Sequence, residues 1–151
     1  MEVTQQADYA MRTVLELALH ADEECIASSE IARQQCIPAP FLAKIVARLA
    51  AAGIVTTQRG VNGGIRLTRP ANEITLLDVV EAIDGPITLN RCMRIPNDCA
   101  RSKTCVIHPV WRAICTDLRI RLNSFHFAML AEDVKSKAGT SPIPTTCLFG
   151  G

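Results

Sequence analysis

The five residues Cys36-Ile37-Pro38-Ala39-Pro40 restrict the folds open to this chain more than any other feature. Proline lacks a backbone donor and disfavours helix in the residue before it, so this segment breaks any helix that reaches it. On its N-terminal side Ser28 or Ser29 opens a helix that runs through Gln35. On its C-terminal side Pro40 suits a first helical turn, and Phe41, Leu42, Ile45, Val46 and Leu49 follow at helical spacing to a stop at Gly53. Two short helices joined by a tight turn form a helix-turn-helix, whose second helix enters the major groove of DNA. An earlier helix is predicted over residues 4–20, with Thr4 as N-cap and Ala7, Ala10, Met11, Val14, Leu15, Leu17 and Ala18 apolar at helical spacing.

Beyond Gly53 the pattern becomes extended. Residues 54–59 are rich in β-branched side chains, Gly60-Val61-Asn62-Gly63-Gly64 tolerates the positive φ of a turn, and residues 65–68 form a second extended run. Alone, such a hairpin is an ordinary surface turn. Directly after a recognition helix it is a wing. Residues 31–70 also hold no Asp or Glu, but do hold Arg33, Lys44, Arg48, Arg59, Arg66 and Arg69. Over the whole chain sixteen Lys and Arg face fifteen Asp and Glu, so the attraction for phosphate is local. Charge alone does not separate a DNA face from a solvated basic face; the surrounding shape favours DNA. Pro38, Ala39, Pro40 and Phe41 offer base edges no side-chain hydrogen bond, so Lys44, Gln58 and Arg59 are the expected polar contacts, with Arg48 further along the helix. Gly60, Asn62 and Gly63 let the wing backbone lie close to the duplex. Thymine methyls and DNA shape would then carry much of the specificity.

Thr75-Leu76-Leu77-Asp78 is a relaxed capping box, opening a helix that runs to Asp84 and stops at Gly85-Pro86. From there to Thr104 no period persists, and loops this long are usually functional or disordered. This one contains Cys92, Cys99 and Cys105, with His108 following at the start of a helix before Pro109. Thiolates and imidazole suit soft and borderline metals. The tight Cys pair of structural zinc sites is missing, whereas a wider loop can wrap an iron–sulfur cluster, its charge offset by Arg91, Arg94, Arg101 and Lys103. Loosely spaced free cysteines are the competing reading. Seven cysteines, an odd number, do not make a closed disulfide framework. The apolar fraction is 48% and the aromatic fraction 4%, so Leu, Ile, Val and Ala build the core. No apolar run nears the ~18 residues of a membrane span, and the N-terminus does not read as a signal peptide. A cytoplasmic protein is expected.

Trp111, Cys115, Leu118, Leu122 and Phe125 alternate in steps of four and three, a heptad seam that predicts a long helix paired with its own copy. A homodimer matches a palindromic operator on double-stranded DNA. The expected architecture is mainly α. A winged helix-turn-helix domain with a small β-hairpin wing spans residues 1–85, a cluster-binding loop 86–108, a dimerisation helix 109–135, and a flexible tail 136–151 containing Cys147.

Thr4 with Asp8-Tyr9-Ala10, Arg59-Gly60 with Asn62-Gly63-Gly64, Leu77-Asp78-Val79-Val80 and the three cysteines, in that order, resemble the bacterial winged-helix iron–sulfur transcriptional regulators that include IscR and NsrR. The resemblance extends to about residue 135. It implies a homodimeric transcription factor, by preference a repressor, whose cluster lies near the dimer helix and alters DNA affinity or site choice. Residues 105–112 resemble the IscR pattern, in which three cysteines and a histidine hold a [2Fe-2S] cluster. Asp8 falls where NsrR supplies a carboxylate to a [4Fe-4S] cluster from the partner subunit. The reading prefers Cys92, Cys99, Cys105 and His108 around [2Fe-2S], with Asp8 the alternative fourth ligand. Six residues separate Cys92 from Cys99, where those relatives have five. The alternative function is a cluster-free winged-helix regulator switched by thiol oxidation or a protein partner. An enzyme is not expected: Cys25, Cys36 and Cys147 have no sequence-local base and no phosphate loop is present.

Overall fold

The computed structural model describes residues 3–22, 25–94, 99–101 and 104–138. Lys103 and the tail from residue 139, with Cys147, lie outside the described residues. Helix α1 (Gln5–Leu19) starts where expected, with Thr4 Oγ1 accepting from the Ala7 amide at 3.2 Å. Its buried positions include Ala7, Ala10 and Ala18, small side chains that let neighbouring elements approach closely.

Helices α2 (Ser28–Gln35) and α3 (Ala39–Ala51) form the helix-turn-helix. Cys36 ends α2 by adopting the left-handed conformation, φ 52°, ahead of the prolines. Ser28 is the first helical residue, and the N-cap is Ala27, which has no side-chain acceptor. Helix α3 buries Leu42, Ile45, Val46 and Leu49 and gives way to Gly53 at φ 71°. Strands β1 (Val55–Gln58) and β2 (Gly64–Leu67) pair antiparallel, with Val55 opposite Leu67 and Gln58 opposite Gly64. Ile26 and Ile65 exchange backbone hydrogen bonds of 2.9 and 2.8 Å, which ties the wing to the segment leading into α2.

Helix α4 (Leu76–Asp84) carries the full capping box: Thr75 Oγ1 accepts from the Asp78 amide at 3.2 Å, and the Asp78 carboxylate accepts from the Thr75 amide at 2.9 Å. The segment that follows is not wholly irregular, since α5 (Arg91–Arg94) forms a single turn within it. The predicted long helix is two: α6 (His108–Asn123) and α7 (Phe127–Ala138). Between them the chain pairs with residues 74–76. The Leu76 amide donates to the Phe125 carbonyl and the Phe127 amide to the Ile74 carbonyl, both at 3.0 Å. These bonds are incompatible with continuing the helix, and they place Phe127 and Ala131 in the core, 1% and 4% exposed. His126 lies in this junction. Helix α7 packs on α1, so residues 127–138 join the body of the winged helix.

The heptad seam is partly buried within the single chain. Helix α6 lies against α4, and Cys115 is only 4% exposed within the single chain, with Trp111, Leu118, Leu122 and Phe125 half-buried. The exposed apolar side chains of α6 are Val110, Ile114 and Ile120, outside that seam.

Candidate functional site

Gly85, at φ 80°, turns the chain out of α4, and the segment beyond it returns to the start of α6. This path brings Cys92, Cys99, Cys105 and His108 to the wall of one open concavity of about 760 Å³. Asn90, Arg91, Arg101 and Trp111 share that wall. The three cysteines are half-buried free thiols, and His108 is the first residue of α6, immediately before Pro109. His108 Nδ1 is buried and has no hydrogen-bond partner. Leaving a buried polar atom unpaired costs free energy, which a bound ligand relieves.

Among the described residues, no three His, Cys, Asp or Glu side chains converge tightly enough for a single metal ion. Ligands to two or more irons stand farther apart, and three thiols with one imidazole are donors that iron accepts. The donor set and the unpartnered nitrogen therefore fit a cluster. Asp8 is not on this wall. It sits in the first turn of α1 and pairs with Arg12 at 2.7 Å. Trp111, whose spacing predicts a dimer seam, is a wall residue three positions after His108.

The second surface is formed by α3 and the wing. A groove of about 650 Å³ runs between them, lined by Ser28 and Ser29, by Ala39, Ala43 and Ala47 of α3, and by Gln58 and Gly63. Alanines along a helix permit close approach and offer no hydrogen bonds, in keeping with apolar and shape readout of DNA. Pro38, Pro40, Lys44, Gln58, Arg59, Gly60 and Asn62 are exposed around it. Phe41 is 43% exposed and packs edge-on to Tyr9, ring centroids 6.4 Å apart.

The basic stretch is thinner than its composition implies. Arg33 pairs with Glu30 at 2.6 Å, and that hydrogen bond holds the Glu30 carboxyl below the usual carboxylate range. Arg69 pairs with Asp78 at 3.3 Å. Arg48, expected at DNA, donates from Nη1 to the Ile83 carbonyl at 2.9 Å and to Gln6 Oε1 at 3.3 Å. Residues beyond the acid-free window thus engage half of its six cations, leaving Lys44, Arg59 and Arg66 with neither an ion pair nor a side-chain hydrogen bond among the described residues. Glu30 stands one residue before that window, and its i,i+3 spacing to Arg33 is a signal the charge count passes over.

A family model described as Rrf2, iron-dependent transcriptional regulator, matches residues 3–133. The HTH-type transcriptional regulator IscR of Xenorhabdus nematophila is 31% identical over 134 residues, spanning 89% of this chain and 79% of that protein. Among solved structures, IscR of T. potens superposes with a TM-score of 0.73 at 22% identity, covering 95% of this chain and 93% of that one. CymR, described as the global cysteine regulator of B. subtilis, superposes with a TM-score of 0.72 at 24% identity, covering 88% and 98%. Both solved structures share the fold.

Proposed function

The chain belongs to the Rrf2 family of winged-helix, DNA-binding transcriptional regulators, and on that premise we propose that its DNA affinity is set by an iron–sulfur cluster held at Cys92, Cys99, Cys105 and His108. One observation carries the reading: three free thiols and a buried, unpartnered imidazole nitrogen line the same concavity. Three cysteines and a histidine favour [2Fe-2S] over [4Fe-4S]. When bound, the cluster supplies a centre sensitive to redox state, nitric oxide and its own loss. The chain's residues do the rest. His108 fixes one ligand on the rigid end of α6, and Arg91 and Arg101 on the wall offset thiolate charge. Ordering residues 86–108 biases how the winged helices present themselves to DNA.

A cytoplasmic homodimer on a palindromic operator completes the proposal. Val110, Ile114 and Ile120 on α6 support the dimer, being exposed and apolar in the single chain. No helix among the described residues is long and apolar enough to cross a membrane.

The test is anaerobic reconstitution with iron and sulfide, followed by absorption spectra and DNA-binding measurements at fixed salt. Wild type is expected to develop sulfur-to-iron charge-transfer bands and to bind its duplex with different affinity when loaded. His108→Ala should alter the spectrum, whereas Asp8→Ala should leave it unchanged. The reverse pattern would move the fourth ligand to Asp8. Wild type without such bands, or with one affinity in both states, would sink the cluster reading and favour thiol oxidation or a protein partner as the switch.

A further inference from the structure

Helix α4 is tied to separate parts of the molecule at Asp78, Glu81, Ile83 and Asp84. Near its start, Asp78 pairs with Arg69, just beyond the wing strand β2. Opening its last turn, Glu81 forms an ion pair with Arg119 of α6 and accepts from the Ile87 amide at 3.3 Å. In its last turn, the Ile83 carbonyl accepts from Arg48 of the recognition helix at 2.9 Å. At its end, Asp84 accepts from Thr4 Oγ1 at 2.6 Å and so joins the N-cap of α1.

The last four carbonyls of a helix have no partner within it. Arg48 satisfies one of these from outside, so the final turn of α4 is stabilised by the recognition helix. Glu81, in the same turn, touches both the beginning of the cysteine segment and the helix that follows it. With its side chain 25% exposed, Glu81 is partly shielded from solvent screening. Any change at Cys92 or His108 that shifts Ile87 or α6 acts on Glu81, and the turn carrying Glu81 also carries the carbonyl that Arg48 grips.

We propose that the last turn of α4 couples the cysteine segment to the recognition helix, with Glu81 as the positioning residue at the junction. The function of this coupling rests on the sensor reading above, but its physics does not need a cluster. Coupling between sites is reciprocal. DNA engaging α3 must therefore be felt at Ile87.

The test is amide hydrogen exchange over residues 87–92 of the full, cluster-free chain, with and without a duplex that wild type has selected from a random-sequence pool. In wild type the duplex should slow exchange there about fivefold, the lower end of ordinary coupling. Glu81→Ala should abolish that response, and Arg119→Gln should reduce it, while exchange in β1 and β2 responds to the duplex as before. If Glu81→Ala does not fold, Arg119→Gln, altered at a half-exposed side chain, carries the test alone. No response in wild type, or an undiminished response in the variants that fold, overturns the proposal. A response lost in the variants, in a protein that never takes up a cluster, upholds the α4 coupling and sinks the cluster reading. Cluster uptake without any response does the opposite.

Discussion

Two wing glycines are demanded by the protein itself as much as by DNA. A Cβ on Gly64 would lie 2.4 Å from the Ile26 carbonyl oxygen, and one on Gly63 would lie 2.3 Å from that of Gln58. Both neighbours are backbone and cannot rotate away. Gly64→Ala must open the Ile26–Ile65 pairing or shift β2, at about 1–3 kcal/mol, read as a lower urea midpoint together with weaker duplex binding; an unchanged midpoint would mean the wing yields freely. Arginines divide in the same way. Arg59→Ala should lower the salt slope of duplex binding by about one unit. Arg48→Ala should leave that slope unchanged and instead lower stability by about 1–2 kcal/mol, the loss of a hydrogen bond from a charged donor. A reduced slope for Arg48→Ala would return it to the interface. The thiols and His108 were legible in the sequence because their chemistry lies in residue identity and short spacing. The bond from Arg48 to the Ile83 carbonyl was not, because the two residues lie 35 positions apart.

At the scale of elements, legibility followed local punctuation. The helix-turn-helix, the wing and the capping box at Thr75 are written in prolines, glycines and a cap, each of which acts within a few residues. The division of α6 from α7 is not. It depends on residues 125–127 pairing with residues 74–76, and on Phe127 entering a core that α1 helps to build. The heptad spacing from Trp111 to Phe125 is real, but spacing does not say which apolar surface a seam meets, and within one chain α6 lies against α4. Thr75 is where these local and distant constraints meet. It is 5% exposed, caps α4 through the Asp78 amide, and bridges to His126. Thr75→Ala keeps the backbone bridge and removes the cap, for a loss of about 1 kcal/mol. Chemical denaturation should detect that loss, with amide exchange faster at the start of α4 than in α1; uniform exchange across both helices would show that the cap is not the local cause.

For the whole molecule, the question is what covers the remaining apolar face of α6. One chain leaves Val110, Ile114 and Ile120 at 54%, 42% and 64% exposure, on the helix whose first residue is His108. Water contact at these side chains is unfavourable, and burying them against a second copy would bring two cysteine concavities to one dimer and set two wings at a fixed spacing. Ile114→Asp puts a charge on that face and leaves the seam residues themselves unaltered. The variant should sediment as a monomer with its unfolding midpoint nearly unchanged when compared at equal monomer content. Binding to a duplex with two half-sites should fall by about a hundredfold, the lower end of what linking two sites contributes, while binding to a single half-site is retained. Loss of single-site binding as well would mean that Ile114 supports the fold rather than an interface. A dimer that survives the charge would place the contact between copies elsewhere, and the spacing of the two wings would then be set by a surface other than α6.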